Sequence, residues 1–239
     1  MLDRLKSLLP HELRQSMKRR LFDVKDMPSR LENLRQSGFQ PTGAIDGGAY
    51  EGDWTKAFAK VWPKVPVLMV EPQPSCRSVL EHLAAALPGS KLADCALGAS
   101  CSRARFLLGD SNSQLAGEGV AGTSSSIEVT VETIESLLSA NQAFRPNLLK
   151  LDLQGHELEA IRGAGERILD FEVLILEISI IPINDTPVFH EVDGLLEGLG
   201  FRVYDLIPQY YRPLDGALWQ IDAFYVRHDS ALIASRAWQ

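Results

Sequence analysis

The apolar positions change their period along the chain, and each change marks an element. Residues 1–22 carry Leu2, Leu5, Leu9, Leu13, Met17 and Leu21 at three- and four-residue spacing, with Lys6, Arg14, Lys18, Arg19 and Arg20 between them. This is a basic amphipathic helix pattern, interrupted at Pro10. It predicts a helix that packs on the domain or on a second subunit, or that makes a peripheral contact with a membrane surface. Pro28 to Ser37 predicts a short helix closed by Gly38. From residue 42 onward, strand and helix signals alternate. Short apolar runs at 42–46, 65–70, 91–97, 148–153 and 173–178 predict strands, and 52–62, 75–87, 134–140, 156–169 and 188–199 predict helices. Residues 103–108 and 126–132 read as strands flanking a Gly/Ser-rich loop at 109–126, long enough to be functional. Two last strands, 201–207 and 217–226, are joined by a loop containing Tyr and Pro.

Strands alternating with helices imply a mostly parallel sheet covered on both faces, an α/β fold of the Rossmann-like kind. The closing pair has no helix between its strands, which predicts an antiparallel hairpin at one edge. The length of 239 residues fits one such domain with a short extension. An apolar fraction of 45% and a charged fraction of 23% are those of an ordinary globular protein. The net charge of −7 argues against general phosphate-backbone binding, so no nucleic-acid partner is expected. Cys76, Cys95 and Cys101 are odd in number and form no CxxC pair. They read as reduced thiols of a cytoplasmic protein; four suitably spaced zinc ligands are missing, so no metal site is assigned, and Asp152 with Glu177 is a thin ligand set that leaves metal need open.

The informative chemistry begins at Asp46-Gly47-Gly48-Ala49-Tyr50-Glu51-Gly52, where the first strand turns into the first helix of the alternating series. Glycines there allow a tight turn and a close approach of ligand to backbone. A dinucleotide site requires G-x-G-x-x-G, which seats a pyrophosphate on the helix N-terminus. Here the spacing is G-G-x-x-x-G, and Asp46 directly precedes it and would repel an anion. A sulfonium cofactor with an amino-acid tail, S-adenosyl-L-methionine, tolerates that carboxylate. An NAD(P)-dependent oxidoreductase is the enzyme rival, and the glycine pattern contradicts it. A cofactor-binding scaffold without catalysis is the non-enzyme rival, compatible with the same carboxylates.

Glu71 ends the second strand, where an acid hydrogen-bonds ribose hydroxyls. Asp94-Cys95-Ala96-Leu97-Gly98 ends the third, with Asp94 placed to accept from an adenine amino group. The fourth strand ends in Leu151-Asp152-Leu153-Gln154-Gly155-His156-Glu157, beside the same crevice. Methyl transfer to a hydroxyl needs alignment of the acceptor and removal of its proton. His156 is the candidate base, Asp152 a candidate to orient acceptor or cofactor, and Glu177 a third catalytic candidate. A structural histidine and a partnered edge carboxylate are the competing readings. Tyr210, Tyr211 and Trp219 are candidates to stack on a sugar ring, with core or surface packing as the alternative.

These blocks resemble the FkbM-type methyltransferases, a branch of the class I S-adenosylmethionine fold. The resemblance rests on residues 45–52, Val70-Glu71-Pro72-Gln73-Pro74, Asp94 to Gly98 and Lys150 to Glu157 with Ile161-Arg162-Gly163-Ala164. Leu176-Glu177-Ile178-Ser179, Pro187 to Val192 and Gln220 to Val226 extend it over roughly residues 40–227. It implies a seven-stranded sheet with one antiparallel strand, and O-methylation of a hydroxyl on a sugar, glycan or secondary metabolite. It implies cofactor roles for Asp46, Gly48, Glu71 and Asp94, with Gly47, Cys95 and Asp152 beside them. Two departures matter: Gly47 and Tyr50 replace the frequent Asp-Val-Gly-Ala-Asn pattern, and Gln154 stands where the family often has Glu. The domain organisation expected is an N-terminal helical extension over 1–39, a methyltransferase domain over 40–228 and a tail over 229–239.

Overall fold

A computed structural model of the chain describes residues 26–109, 113–115, 125–183 and 186–235. The basic amphipathic pattern of residues 1–22 and most of the 109–126 loop lie outside the described residues. In chain order the elements are α1 (Met27–Gln36), β1 (Ala44–Gly47), α2 (Asp53–Val61), β2 (Val67–Val70), α3 (Pro74–Ala86) and β3 (Lys91–Ala93). Then come β4 (Ala96–Leu97), β5 (Ser102–Leu107), β6 (Gln114–Leu115), β7 (Ser126–Glu132), α4 (Ile134–Ala140) and β8 (Leu148–Leu151). The C-terminal part adds α5 (Glu157–Arg162), β9 (Val173–Ser179), α6 (Phe189–Gly198), β10 (Phe201–Tyr211) and β11 (Leu218–Arg227).

Seven strands form the main sheet in the order β10-β11-β9-β8-β1-β2-β3. β11 pairs antiparallel with both β9 and β10, and the other pairings are parallel. The order reverses at β1, so the crevice beyond the C-terminal ends of β1, β2 and β8 is a topological switch point, where α/β sheets bind ligands.

The central strands are buried on both faces, and alternation along them separates two cores. Ile45, Leu149, Leu151, Leu174 and Leu176 join Ile134, Ile161 and Val192 of α4, α5 and α6. Ala44, Met69, Leu148, Val173 and Ile175 join Leu34, Phe58 and Leu80 of α1, α2 and α3 on the other face. The helix at 27–36 is therefore part of the second core.

Three elements depart from the expected pattern. The run 91–97 does not form one strand. Lys91–Ala93 pairs with β2 at the sheet edge, while Ala96–Leu97 leaves to pair with Val131–Glu132. That exchange starts a second sheet, ordered β4-β7-β5-β6, whose own small core is Ala96, Phe106, Val129 and Val131. The expected helix over 156–169 stops at Arg162, and a 3₁₀ turn spans Gly165–Asp170. A Cβ at Gly163 would lie 2.0 Å from the Gly98 carbonyl oxygen, so this turn is pressed against the start of the second sheet. Finally, β10 continues through Pro208 to Tyr211 with register shifts, so Tyr210 and Tyr211 belong to a strand rather than a loop. As an edge strand it tolerates the proline and the irregular pairing.

Candidate active site

The turn after β1 is built around a backbone contact. Gly48 has φ +70°, and a Cβ there would fall 1.9 Å from the Asp152 carbonyl oxygen. No side chain fits, so the turn lies directly on the loop that follows β8. Beneath it sits Lys150, whose side chain is 9% exposed. Its ammonium donates to the Gly48 carbonyl at 3.0 Å and lies 3.2 Å from Asp46 Oδ1 and 3.6 Å from Asp152 Oδ2. Asp46 is fully buried and also accepts from the Thr55 hydroxyl of α2 at 2.6 Å. Burial alone would depress the Lys150 pKa, but Asp46 and Asp152 reverse that and hold the ammonium charged.

Register explains why acids gather beyond it. Asp46 is opposite Lys150, Lys150 opposite Ile175, and Glu177 opposite Asp222. Asp152 follows Lys150 by two residues and Glu177 follows Ile175 by two, so Asp152, Glu177 and Asp222 form one row across three strands. Neighbouring strands are about 4.8 Å apart, which brings three carboxyls side by side. Burial first, then Asp152 and Asp222, push Glu177 up to about 9. Burial and Asp152 push Asp222 up to about 7, with Lys150 pulling the other way. Glu177 therefore carries a proton at neutral pH.

Gln154 binds this row together. It has φ +53°, an uncommon conformation for a residue with a side chain. Its Nε2 donates to Asp152 Oδ1 and to Glu177 Oε2, each at 2.9 Å. Gln220 donates to Glu177 at 3.4 Å, and Gln209 donates to Asp222. Glu157 is buried and accepts the Leu153 N–H at 2.7 Å and the Gly155 N–H at 3.1 Å, which fixes the loop. Burial pushes it up to about 7 all the same.

A cleft enclosing about 690 Å³, counting its open mouth, runs over the Gly48 turn. Of the residues expected from sequence, Gly48, Glu71, Cys95, Asp152 and His156 line it. Glu71 accepts the Tyr50 and Gln73 N–H groups at 2.8 and 2.9 Å, and its burial raises its pKa. Cys95, Leu97 and Phe106 give the cleft an apolar wall. His156 is the N-cap residue of α5; burial lowers its pKa, and its Nδ1 is buried with no hydrogen-bond partner.

Four expected residues, Asp46, Gly47, Asp94 and Glu177, do not line the cleft. Asp46 points under the turn to Thr55 and Lys150, because its position on β1 faces α2. Gly47 is packed inside, where a Cβ would meet the Leu151 and Leu97 side chains. Asp94 pairs with Arg77 of α3, in an open groove that also includes Lys91. Glu177 belongs to a second chamber next to the cleft, with Gln154 lining both. Sequence reasoning assigned no role to Lys150, Gln154, Asp222 or Gln73, whose Oε1 is buried in the cleft wall without a partner. Lys150 did carry a signal, as the one charge inside the otherwise apolar β8, and so did Asp222, as the one acid in the mostly apolar β11. Among the described residues, no three His, Cys, Asp or Glu side chains are arranged to hold a metal ion.

The model of the methyltransferase FkbM domain matches residues 46–203, from the buried acid of β1 into β10. The chain belongs to the FkbM methyltransferase family. It is therefore an S-adenosylmethionine-dependent methyltransferase, and its fold is the class I α/β fold. The cleft fits that cofactor on its own chemistry. It offers an acid for a ribose, an apolar wall for a purine, an orphaned carboxamide oxygen and, among the described residues, no lysine or arginine to attract a pyrophosphate.

Solved structures resemble this FkbM methyltransferase at low identity. One is the 1,6-didemethyltoxoflavin-N1-methyltransferase of Burkholderia thailandensis with S-adenosylhomocysteine bound. It is 14% identical, covers 90% of this chain and 84% of its own, and has a TM-score of 0.47. The precorrin-6y C5,15-methyltransferase of Geobacter metallireducens is 12% identical, covers 83% and 87%, and scores 0.45. An rRNA methylase of Streptococcus thermophilus is 14% identical, covers 85% and 98%, and scores 0.46. No curated protein matches the sequence.

Two consequences can be measured. Lys150→Met leaves Asp46 buried without its counter-charge and should lower unfolding free energy by about 3–5 kcal/mol in urea titrations. Adding Asp46→Asn should recover part of that loss; a single variant as stable as wild type would show that Lys150 is not the support of the turn. Glu177 keeps a proton between its ordinary 4.5 and about 9, where the unfolded chain has released it. The folded state then binds more protons, so stability falls as pH rises through that window. Glu177→Gln removes this penalty. Its melting temperature should exceed that of wild type by a margin that widens from pH 5 to pH 9. Parallel melting curves would instead place Glu177 as an ordinary ionised carboxylate.

Proposed function

We propose that this chain methylates a hydroxyl group, on a sugar or another small metabolite, with His156 as the proton acceptor. The observation that carries this reading is the neutral, buried imidazole whose Nδ1 has no partner and which lines the cofactor cleft. An alcohol is a weak nucleophile until its proton has a destination, and an imidazole kept neutral by burial supplies one.

S-adenosylmethionine supplies the methyl on a positively charged sulfur. The residues that would hold it are Glu71 at the ribose hydroxyls, Gly48 under the chain and the Cys95–Leu97 wall along the adenine. Glu71 already accepts one backbone N–H on each oxygen, and each oxygen keeps a further lone pair for a ligand hydroxyl. Asp152, held by Gln154, would orient the reacting groups. His156 Nδ1 would take the proton that the acceptor hydroxyl gives up when it is methylated.

Glu71→Ala should weaken S-adenosylmethionine binding by about 1.5–3 kcal/mol, read by calorimetry on the folded variant. Wild-type affinity would remove Glu71 from the site. His156→Ala should lower kcat by about 10²–10⁴-fold on an active acceptor and leave cofactor affinity unchanged. The pH–rate profile separates the two candidate bases. A base must be unprotonated, so with His156 the rate rises with pH through a limb below 6.5 and is flat above it. A limb near 9 would assign the proton to Glu177 instead.

A further inference from the structure

The chamber beside the cleft encloses about 670 Å³, counting its mouth, and nothing in the cofactor reading uses it. Gln154 forms the wall common to both spaces, so a group in the chamber meets the cleft across that one side chain. Its other walls come from Glu157, Glu177, Ser179, Thr186, Trp219 and Gln220. Trp219 has its indole N–H buried without a partner, and Tyr210 lies against it with ring centroids 6.4 Å apart. The lining thus combines an aromatic face, hydroxyls, carboxamides and acids.

Its charge is one-sided. None of the described residues that line the chamber is a lysine or arginine. The sequence has none between Arg105 and Arg145 or between Arg167 and Arg202, the stretches that supply most of this wall. Arg212, in the hairpin after β10, is held by Asp215. Lys150 is engaged by Asp46 and Asp152 beneath the turn. Asp152 and Asp222 stand beside Glu177 in the carboxyl row.

We infer that this chamber is the acceptor subsite, and that it takes a neutral or cationic hydroxylated ring and rejects phosphate- or carboxylate-bearing acceptors. The inference rests on the methyltransferase reading and specifies its substrate class. An anion placed here would be stripped of water with no described lining cation to offset it, beside carboxyls that are themselves relieved of charge only by protons. Leaving a phosphate or carboxylate desolvated without a counter-charge costs more than about a tenfold change in affinity. A neutral ring avoids that desolvation cost and gains the Trp219 face and the unpartnered indole N–H.

The test uses the full chain saturated with S-adenosylhomocysteine and four ring-matched probes: methyl glucoside, methyl glucosaminide, methyl glucuronide and glucose 6-phosphate. Dissociation constants come from saturation-transfer NMR. The glucoside or the glucosaminide should bind at least about tenfold more tightly than the two anionic probes. Trp219→Ala should weaken the better probe by tenfold or more, and Thr186→Lys should narrow the gap between neutral and anionic probes. S-adenosylhomocysteine affinity, measured by calorimetry, should stay within about twofold of wild type in both variants. Anionic probes binding as well as the neutral or amino ones, or no probe binding preferentially, overturns the inference. So does a Trp219→Ala or Thr186→Lys variant with unchanged probe affinities. Failure of the wild-type chain to bind S-adenosylhomocysteine at all would strike the cofactor reading itself, a result distinct from any of these.

Discussion

A buried ammonium is the constraint on which the site depends. Lys150 sits in β8 between Leu149 and Leu151, both fully buried, yet it reaches across to the carbonyl of Gly48 and the carboxylate of Asp46. A charge in that position is tolerated only when it is paired and hydrogen-bonded. Asp46 therefore has to be buried with it, Thr55 has to satisfy the other carboxylate oxygen, and the β1 turn has to present its carbonyls downward. Once these are fixed, the turn lies on Asp152, and only glycine fits at position 48.

The same ammonium is the one buried cation near the acid row among the described residues, and it cannot neutralise every carboxyl there. Asp46 and Asp152 already share it, which leaves Glu177, Asp222 and Glu157 to be relieved by protons. Gln154 is suited to such a row, since a carboxamide can donate to two acids without adding charge. A glutamate at position 154 would add a fourth acid to the row. Strain at Gln154 and Tyr50, both with positive φ, is concentrated at the edge of the cleft, where backbone strain often accompanies function.

The two spaces divide the labour physically. The cofactor cleft has an apolar wall from the second sheet, an acid at the end of β2 and Asp152 of the carboxyl row; the chamber has Glu177 of that row and Trp219 of the β10–β11 hairpin. β11 belongs to this arrangement because it runs antiparallel beside β9, which sets Asp222 opposite Glu177 and Gln220 opposite Ser179. A parallel strand at that place would need a crossover instead of the short hairpin turn between Tyr211 and Leu218.

The alternation of apolar strands with amphipathic helices was sufficient to specify the α/β sheet, because both follow from local periodicity and from burial on two faces. The glycine turn and the acid at the end of β2 were also legible, since a strand end followed by glycines has few structural uses in such a sheet. Local sequence did not reveal that Asp46 would face inward and Asp94 outward, nor that residues 91–97 would divide between two sheets. Those outcomes depend on which side of the sheet each strand end faces and on what packs there: Thr55 and Lys150 against Asp46, Arg77 against Asp94, Val131 against Ala96. The row of Asp152, Glu177 and Asp222 is the clearest case. The three residues are scattered over 71 positions of the chain, and only cross-strand register makes them neighbours, because pairing distance in a sheet is independent of separation in sequence.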